Sequence, residues 1–392
     1  MPDRTRRARL PSLTGLRFVL AGIVLACHTL GFVDGSLRDA AVMTFPIAAT
    51  AVSGFFILSG FVLTWTHTVG DRARSFWRRR FWRIFPNHAL SWTAAVVLFS
   101  VAAPPPQLSS FGEPPFYAAF LGLFMVQDWI ARLEVNTAYN GPAWSLSCEA
   151  FFYAMFPLLI SAVRRVPRRR LRYLWAALAI AALGLPLVAM TIPGPPPAIE
   201  EFPVNQNSLW FGYVFPPVRL VEFALGIVTA RLLQTGRWPR LPRLAIIASL
   251  ALAIGLLGIL PLQYALGAAT AVPMTLIVAG LALADVQGRS GQLARPLLVR
   301  LGEASYALYI CHFPLLLALS SVIGPQRSDA LWVNATLAVA FTLLAQAVAL
   351  AVHRYYEQPL TTAWSRRRPP SLTTHRDQGT EAPGTSTARE AP

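Results

Sequence analysis

The chain has 392 residues, 55% hydrophobic and 13% charged, with a mean hydropathy of +0.48. That composition describes a polytopic membrane protein and excludes a soluble globule with a large core. The formal charge of +16 comes from 34 basic residues that are all arginine, most of them in short runs between apolar segments; membrane topology accounts for such a pattern, and nucleic acid is not an expected partner.

Apolar runs predict about ten transmembrane helices, near 11–33, 42–68, 86–103, 143–163, 171–190, 206–230, 244–261, 264–284, 297–323 and 330–353. Pro216 and Pro217 are expected to kink the sixth. Connections alternate between arginine-rich and arginine-poor, which by the positive-inside rule places both termini in the cytoplasm. The expected fold is therefore an all-α integral membrane bundle in the cell membrane. A basic cytoplasmic segment spans 1–9, a transmembrane domain 10–362, and a polar Pro- and Thr-rich tail 363–392 is expected to be disordered. The basic start resembles the charged region of a signal peptide, but the apolar run is too long and lacks a small-residue cleavage site. No internal repeat is visible.

The first span carries two polar residues that lipid would reject, Arg17 and His28, eleven positions apart. Eleven residues turn about 1,100°, roughly 20° off three full turns, so both leave one face, about 16 Å apart along the axis. An intramembrane ionisable residue is by default a functional-site hypothesis; the plainer reading has Arg17 reaching the headgroups and His28 bonded between helices. Topology sets Glu149, five residues beyond Trp144 on the fourth helix, at a depth close to that of His28, which suits a base and its orienter. Arg219 and Glu222 share a face at i,i+3, where they pair structurally or serve the site, and His312 lies near mid-membrane on the ninth helix. The stretch 72–86 is expected as a loop with six arginines interleaved with Trp77, Phe81 and Trp82. It reads either as an inside-facing loop on anionic lipid or as an anion cradle for a nucleotide-type donor.

Cys27, Cys148 and Cys311 lie in apolar segments, which argues against a disulfide framework. Each precedes a suspected functional residue, but helix neighbours point about 100° apart, so no metal site is expected and small-residue packing explains them better. Ser59, in GFFILSG without nucleophile-elbow spacing, is expected to pack.

These residues resemble the membrane-bound acyltransferase-3 family over about residues 10–362. Arg17 and His28 match its Arg-x10-His pattern. SGFFILSGFVLTW (53–65), RRFWRIFP (79–86), FMVQDW (124–129), PAWSLSCEAFFY with Glu149, VRLVEFALG with Arg219 and Glu222, LGEASYALYICHFPL with His312 and YYEQP with Glu357 follow in the family's order. The start LPSLTGLRF and the stretch AWSLSCEAFFY are similar to actinobacterial members, including ones that acylate macrolides. The resemblance implies transfer of an acetyl or short acyl group from acyl-CoA, a co-substrate rather than a bound cofactor, to a hydroxyl of a sugar, glycan or secondary metabolite such as a macrolide. It implies that Arg79, Arg80 and Arg83 hold the coenzyme's phosphates, with its arm passing Arg17. His28 then acts as general base and Glu149 orients it; covalent catalysis by His28 is the variant. Arg219 or His312 is a candidate for the oxyanion, with Glu222 beside Arg219, and Gln127 and Trp129 are candidates for acceptor contacts. The competing expectation is a transporter or exporter whose intramembrane Arg, His and Glu bind the substrate.

Overall fold

In a computed structural model of the chain, residues 8–32, 36–101, 114–196, 204–323 and 330–365 are described. The expectations for residues 1–7, for Arg366–Arg368 and the tail, and for parts of the arginine-poor connections (33–35, 102–113, 197–203 and 324–329) lie outside the described residues.

Among the described residues the regular structure is helical, and nine helical stretches are long and apolar enough to cross a membrane. The principal helices are α1 (Pro11–Gly31), α2 (Ser36–Thr66), α3 (Ala73–Val101), α4 (Trp144–Arg165), α5 (Leu171–Met190), α6 (Pro216–Gln234), α7 (Arg243–Leu256), α8 (Ala269–Val286), α9 (Ser305–Ile323) and α10 (Leu331–Val352). The seventh expected span is α7, whose 14 residues reach only about 21 Å, short of the hydrocarbon thickness.

α2 is the spine, because it packs against α1, α4, α6 and α8. Its apolar window is 78% buried, as suits a helix apolar on every side. Where α2 crosses α6 the backbones touch: a Cβ at Gly60 would run into the Phe223 carbonyl, and one at Gly226 into the Ile57 carbonyl. In lipid, where apolar burial gives helices no net reason to associate, such close approach by small residues supplies the packing. Ile57, Phe61, Phe223 and Ile227, all fully buried, fill the space around the crossing.

Two helices depart from the expected limits, and a third bends as expected. The stretch 72–86 is not a loop, since α3 begins at Ala73 and carries Pro86 inside it. Six arginines lower the hydropathy of a stretch whose period is nonetheless helical. Phe76, Arg80 and Ile84 follow at i,i+4 with Asn87 beside them, and Phe76, Ile84 and Asn87 are buried. The ninth expected span breaks at Ala304 into Pro296–Glu303 and α9. The sixth bends where expected, through a π-turn at Trp210–Val214 and extended Phe215, with Pro216 and Pro217 opening α6.

The arginine-rich segments gather at one end. Trp65 Nε1 donates to the Ala8 carbonyl at 3.2 Å, Ser12 donates its backbone N–H and hydroxyl to Asp285 at 2.9 and 2.6 Å, and Trp82 stacks on Trp364 at 5.0 Å. Replacing Gly226 by Ala is expected to destabilise the bundle by about 1–3 kcal/mol, the usual cost of overpacking, read as a fall in the unfolding midpoint of purified protein in detergent. Ala at Gly22, which meets nothing within 4 Å, is the neutral control.

Candidate active site

A cavity opens near the arginine-rich end, between α1, α2, α3, α4 and α9, and Arg17, Arg80, Arg83, Ser59, Glu149 and Tyr153 are among its lining. The helical register of α3 turns Arg80 and Arg83 into it, while Arg79 does not line it and is paired with Asp71. Arg83 reaches Glu357 at 3.4 Å, and Glu357 is held in turn by Asn87 and His353, each at 3.1 Å. Arg80 lies over the rings of Phe76 and Tyr153 at 5.6 and 6.0 Å, and its buried Nε has no hydrogen-bond partner. The buried Nε of Arg17 has none either. Among the described residues neither Arg17 nor Arg80 makes an ion pair, and the one carboxylate in the chamber lining is Glu149; two guanidiniums facing a chamber with one carboxylate suit an anionic ligand.

Glu149 does not pair with His28. Its Oε1 accepts from Tyr153 Oη at 2.5 Å, one turn along α4, and from Ser59 Oγ on α2 at 3.2 Å. Ser59, expected to be mere packing, is thus part of the chamber wall. Depth along the membrane normal brought Glu149 and His28 level, but azimuth decides contact, and α4 turns Glu149 toward α2 and α3.

The partner of His28 is His312. His28 Nδ1 and His312 Nε2 are 3.1 Å apart, and His312 Nδ1 lies 3.1 Å from the Leu308 carbonyl. A carbonyl only accepts, so His312 Nδ1 carries the hydrogen and, in the neutral ring, its Nε2 presents a lone pair. That lone pair takes the hydrogen on His28 Nδ1. The remaining lone pair of the couple therefore sits on Nε2 of His28, which is half-buried. Phe313 packs edge-on against the His28 ring at 5.7 Å. Neither histidine lines the cavity. Between them and it stands Tyr309, whose ring meets His312 at 6.1 Å and Phe55 at 5.9 Å, and whose hydroxyl lies 2.8 Å from Ser145 Oγ.

Arg219 and Glu222 form a buried pair at 2.9 Å. Arg219 also donates to Ser53 Oγ at 2.8 Å and the Leu266 carbonyl at 3.3 Å, and lies over Phe56 and Tyr213. Gly267, at φ 130°, leaves the room this knot occupies, since a Cβ there would collide with Ser53 Oγ. The pair braces α6 against α2 and the π-turn Tyr264–Ala268 and is not part of the chamber lining, which it touches only through Phe56. Gln127 is buried and donates to the Ala143 carbonyl at 3.2 Å, so it pins the segment between α3 and α4 to the start of α4. Trp129 is half-exposed and packs edge-on against Phe151 and Phe215. Cys27, Cys148 and Cys311 are buried and not in disulfides, Cys148 donating to the Val214 carbonyl at 3.2 Å, and among the described residues no group of three or more His, Cys, Asp or Glu is placed to hold a metal. Sequence reasoning missed Tyr153, Tyr309 and Ser145; the i,i+4 spacing of Glu149 and Tyr153 was the available signal for the first.

Fold and site define a multi-pass helical membrane protein with a polar interior chamber reached from its arginine-rich end. The acyltransferase-3 model, an acyltransferase domain, matches residues 10–354. The chain is 38% identical over 377 residues to the acyltransferase MdmB of Streptomyces mycarofaciens, an alignment covering 94% of this chain and 95% of that protein. It is 26% identical over 335 residues to the O-acetyltransferase OatA of Staphylococcus aureus, covering 80% of this chain and 51% of that protein. No solved structure matches the chain. The chain belongs to the acyltransferase-3 family and is an acyltransferase.

Beside Gln127, Asp128 is fully buried, and burial pushes its carboxyl well above the usual carboxylate range, with the Ser147 hydroxyl opposing more weakly. The folded protein therefore binds this proton more tightly than the unfolded chain. The associated stability is fully present below the unfolded value near 3.8 and is lost as pH rises through the folded value, by at most about 1.4 kcal/mol per pH unit. Asp128→Asn removes that dependence. Its unfolding midpoint in detergent is expected to gain on the native protein between pH 5 and pH 8, and equal pH slopes for the two proteins refute the assignment.

Proposed function

We propose that the protein moves an acetyl or short acyl group from acyl-CoA to a hydroxyl of a sugar, glycan or secondary metabolite such as a macrolide, in the cell membrane and with its arginine-rich end in the cytoplasm. The observation that carries this reading is the chamber in which Arg17 and Arg80, with no ion pair among the described residues, stand beside Arg83 and outnumber its one carboxylate, Glu149. Guanidinium forks match phosphate oxygens, and a low-dielectric wall strengthens each contact. Arg80 and Arg83 hold the coenzyme's phosphates, and its arm runs inward past Arg17 toward Tyr309. Arg79, spent on Asp71, has no part in this.

His28 Nε2 accepts the hydroxyl proton as the acceptor oxygen attacks the thioester carbonyl. His312 supports the resulting imidazolium through the hydrogen bond that already joins the rings. The proton then returns to the departing thiolate sulfur. The tetrahedral oxyanion lies on the Tyr309 side, where the Tyr309 and Ser145 hydroxyls, hydrogen-bonded to each other and to the Pro142 carbonyl, turn to donate to it. This role falls to them rather than to Arg219, which is committed to Glu222. A second reading rests on one observation: Glu149 lines the chamber and His28 does not. In it Glu149 is the base, with Tyr153 and Ser59 as its neighbours.

The two readings separate by mutation. His28→Ala is expected to lower acyl transfer by about 10²–10⁴-fold, the usual contribution of a positioned base, in purified protein whose unfolding midpoint is unchanged. Glu149→Gln is then expected to keep most of the rate; the reverse order of effects makes Glu149 the base. Arg80→Ala is expected to raise KM for acyl-CoA at least tenfold while leaving KM for the acceptor nearly unchanged. Equal changes in both constants reduce Arg80 to a topological charge.

A further inference from the structure

Ser305, the first residue of α9, lines the chamber and is only 1% exposed, yet its Oγ has no hydrogen-bond partner. A buried hydroxyl left unmet forfeits its hydration and gains nothing in return. Its place in the same lining as Arg17 and Arg83 gives it a reason to wait for a ligand. The reaction outlined above does not use it.

Two contacts between helices bring these three residues to one level. A Cβ at Gly302 would run into the Thr14 carbonyl, so the short helix Pro296–Glu303 presses its backbone on α1. Arg17 and Ser305 each lie three residues further along the chain, about 4.5 Å inward from the arginine-rich end. Tyr306 Oη donates to the Ile84 carbonyl at 2.8 Å, which joins α9 to α3 one residue beyond Ser305 and Arg83. Arg80, one turn earlier on α3, is nearer the mouth. Arg83 leans on Glu357 at 3.4 Å, but a guanidinium carries several further donors, and this one lines the chamber. Glu149, the one carboxylate in the lining, accepts from Tyr153 and Ser59 through its Oε1, on the side of α2 and α4.

We infer that Arg17, Arg83 and Ser305 form a collar that grips the diphosphate of the donor coenzyme, the Ser305 hydroxyl donating to a phosphate oxygen, with the 3′-phosphate left toward the mouth at Arg80. The inference rests on the donor reading above, and it adds Ser305 and sorts the phosphates. Inward of the collar the lining runs through Val52, Phe55, Phe56 and Leu146 to Ser145 and Tyr309, with no cation among the described residues. A 3′-phosphate in the collar would drive the diphosphate into that apolar stretch, where its charges lose water and gain no partner. An uncharged pantetheine arm fits there instead. Its length agrees as well. An extended chain gains roughly 1.2 Å per backbone bond, so the roughly thirteen bonds from phosphorus to sulfur reach about 15 Å. Arg17 and His28 are about 16 Å apart along α1, so a diphosphate in the collar brings the thioester to the depth of the proposed base.

The test uses the full chain in nanodiscs and equilibrium dialysis of coenzyme A, 3′-dephospho-coenzyme A, 4′-phosphopantetheine and pantetheine. The native protein is expected to bind 4′-phosphopantetheine at least about tenfold more tightly than pantetheine. Ser305→Ala is expected to weaken the three phosphate-bearing ligands by one common factor, about tenfold, as for a hydrogen bond to a charged group. Pantetheine binding stays unchanged, and Ser305→Thr, which keeps the hydroxyl, recovers most of the loss. Arg80→Ala is expected to weaken coenzyme A far more than its 3′-dephospho form. A Ser305→Ala loss that disappears with 3′-dephospho-coenzyme A overturns the proposal, because the collar then holds the 3′-phosphate. A loss that persists with pantetheine also overturns it and sets Ser305 on the arm. So does the absence of any loss while Arg80→Ala still weakens coenzyme A. Equal affinities of the native protein for 4′-phosphopantetheine and pantetheine overturn it without recourse to a variant. Failure of the native protein to bind coenzyme A sinks the donor reading instead. Inorganic pyrophosphate, bound by the native protein and more weakly by Ser305→Ala, then still decides whether the collar takes a diphosphate.

Discussion

A charge inside a bilayer has no water to fall back on, and this constraint arranges the whole interior. Several cations of the bundle are answered by protein: the buried Arg219 by Glu222, and the partly exposed Arg83 and Arg79 by Glu357 and Asp71. Each pair also joins two elements or two turns that would otherwise part, as Arg83–Glu357 does by holding the start of α3 to the chain beyond α10. Against that background Arg17 and Arg80 stand out, since both face the chamber and neither has an ion pair among the described residues. Guanidiniums that line a low-dielectric chamber with no ion pair, and with Glu149 as the one carboxylate in its lining, are costly. Their cost is recovered when an anion arrives, and that makes them evidence for a ligand rather than for stability.

The chamber and the histidine couple lie on either side of Tyr309. The chamber is charged and opens toward the arginines. The couple holds a single basic lone pair on His28, whose position is set by a backbone carbonyl through the intervening ring of His312. A carbonyl cannot change its role with pH or ligand, so the tautomer at the far end of the couple is fixed by helix geometry alone. The same economy appears at Tyr153, where a proline frees a carbonyl and a tryptophan from the next helix takes it. In lipid, irregularities of the backbone become the points at which helices recognise one another.

The sequence alone determined the class of fold, the number of apolar helices to within the short α7, the kink ahead of Pro216 and the family. It did so because lipid imposes a length and a hydropathy that leave a direct trace in composition. It also marked Arg17, His28, Arg80, Arg83 and His312, because an ionisable residue in an apolar run is conspicuous. It hid the helical start of α3, where arginines mask an amphipathic period, and the part played by Ser59, whose chemistry is invisible until Glu149 is beside it. Which marked residues meet was left to the tertiary structure. Spacing along a helix fixes depth and face, but the rotation of one helix against another depends on contacts such as Gly60 with Phe223 and Gly226 with Ile57, contributed by segments far apart in the chain. That rotation joined His28 to His312 rather than to Glu149.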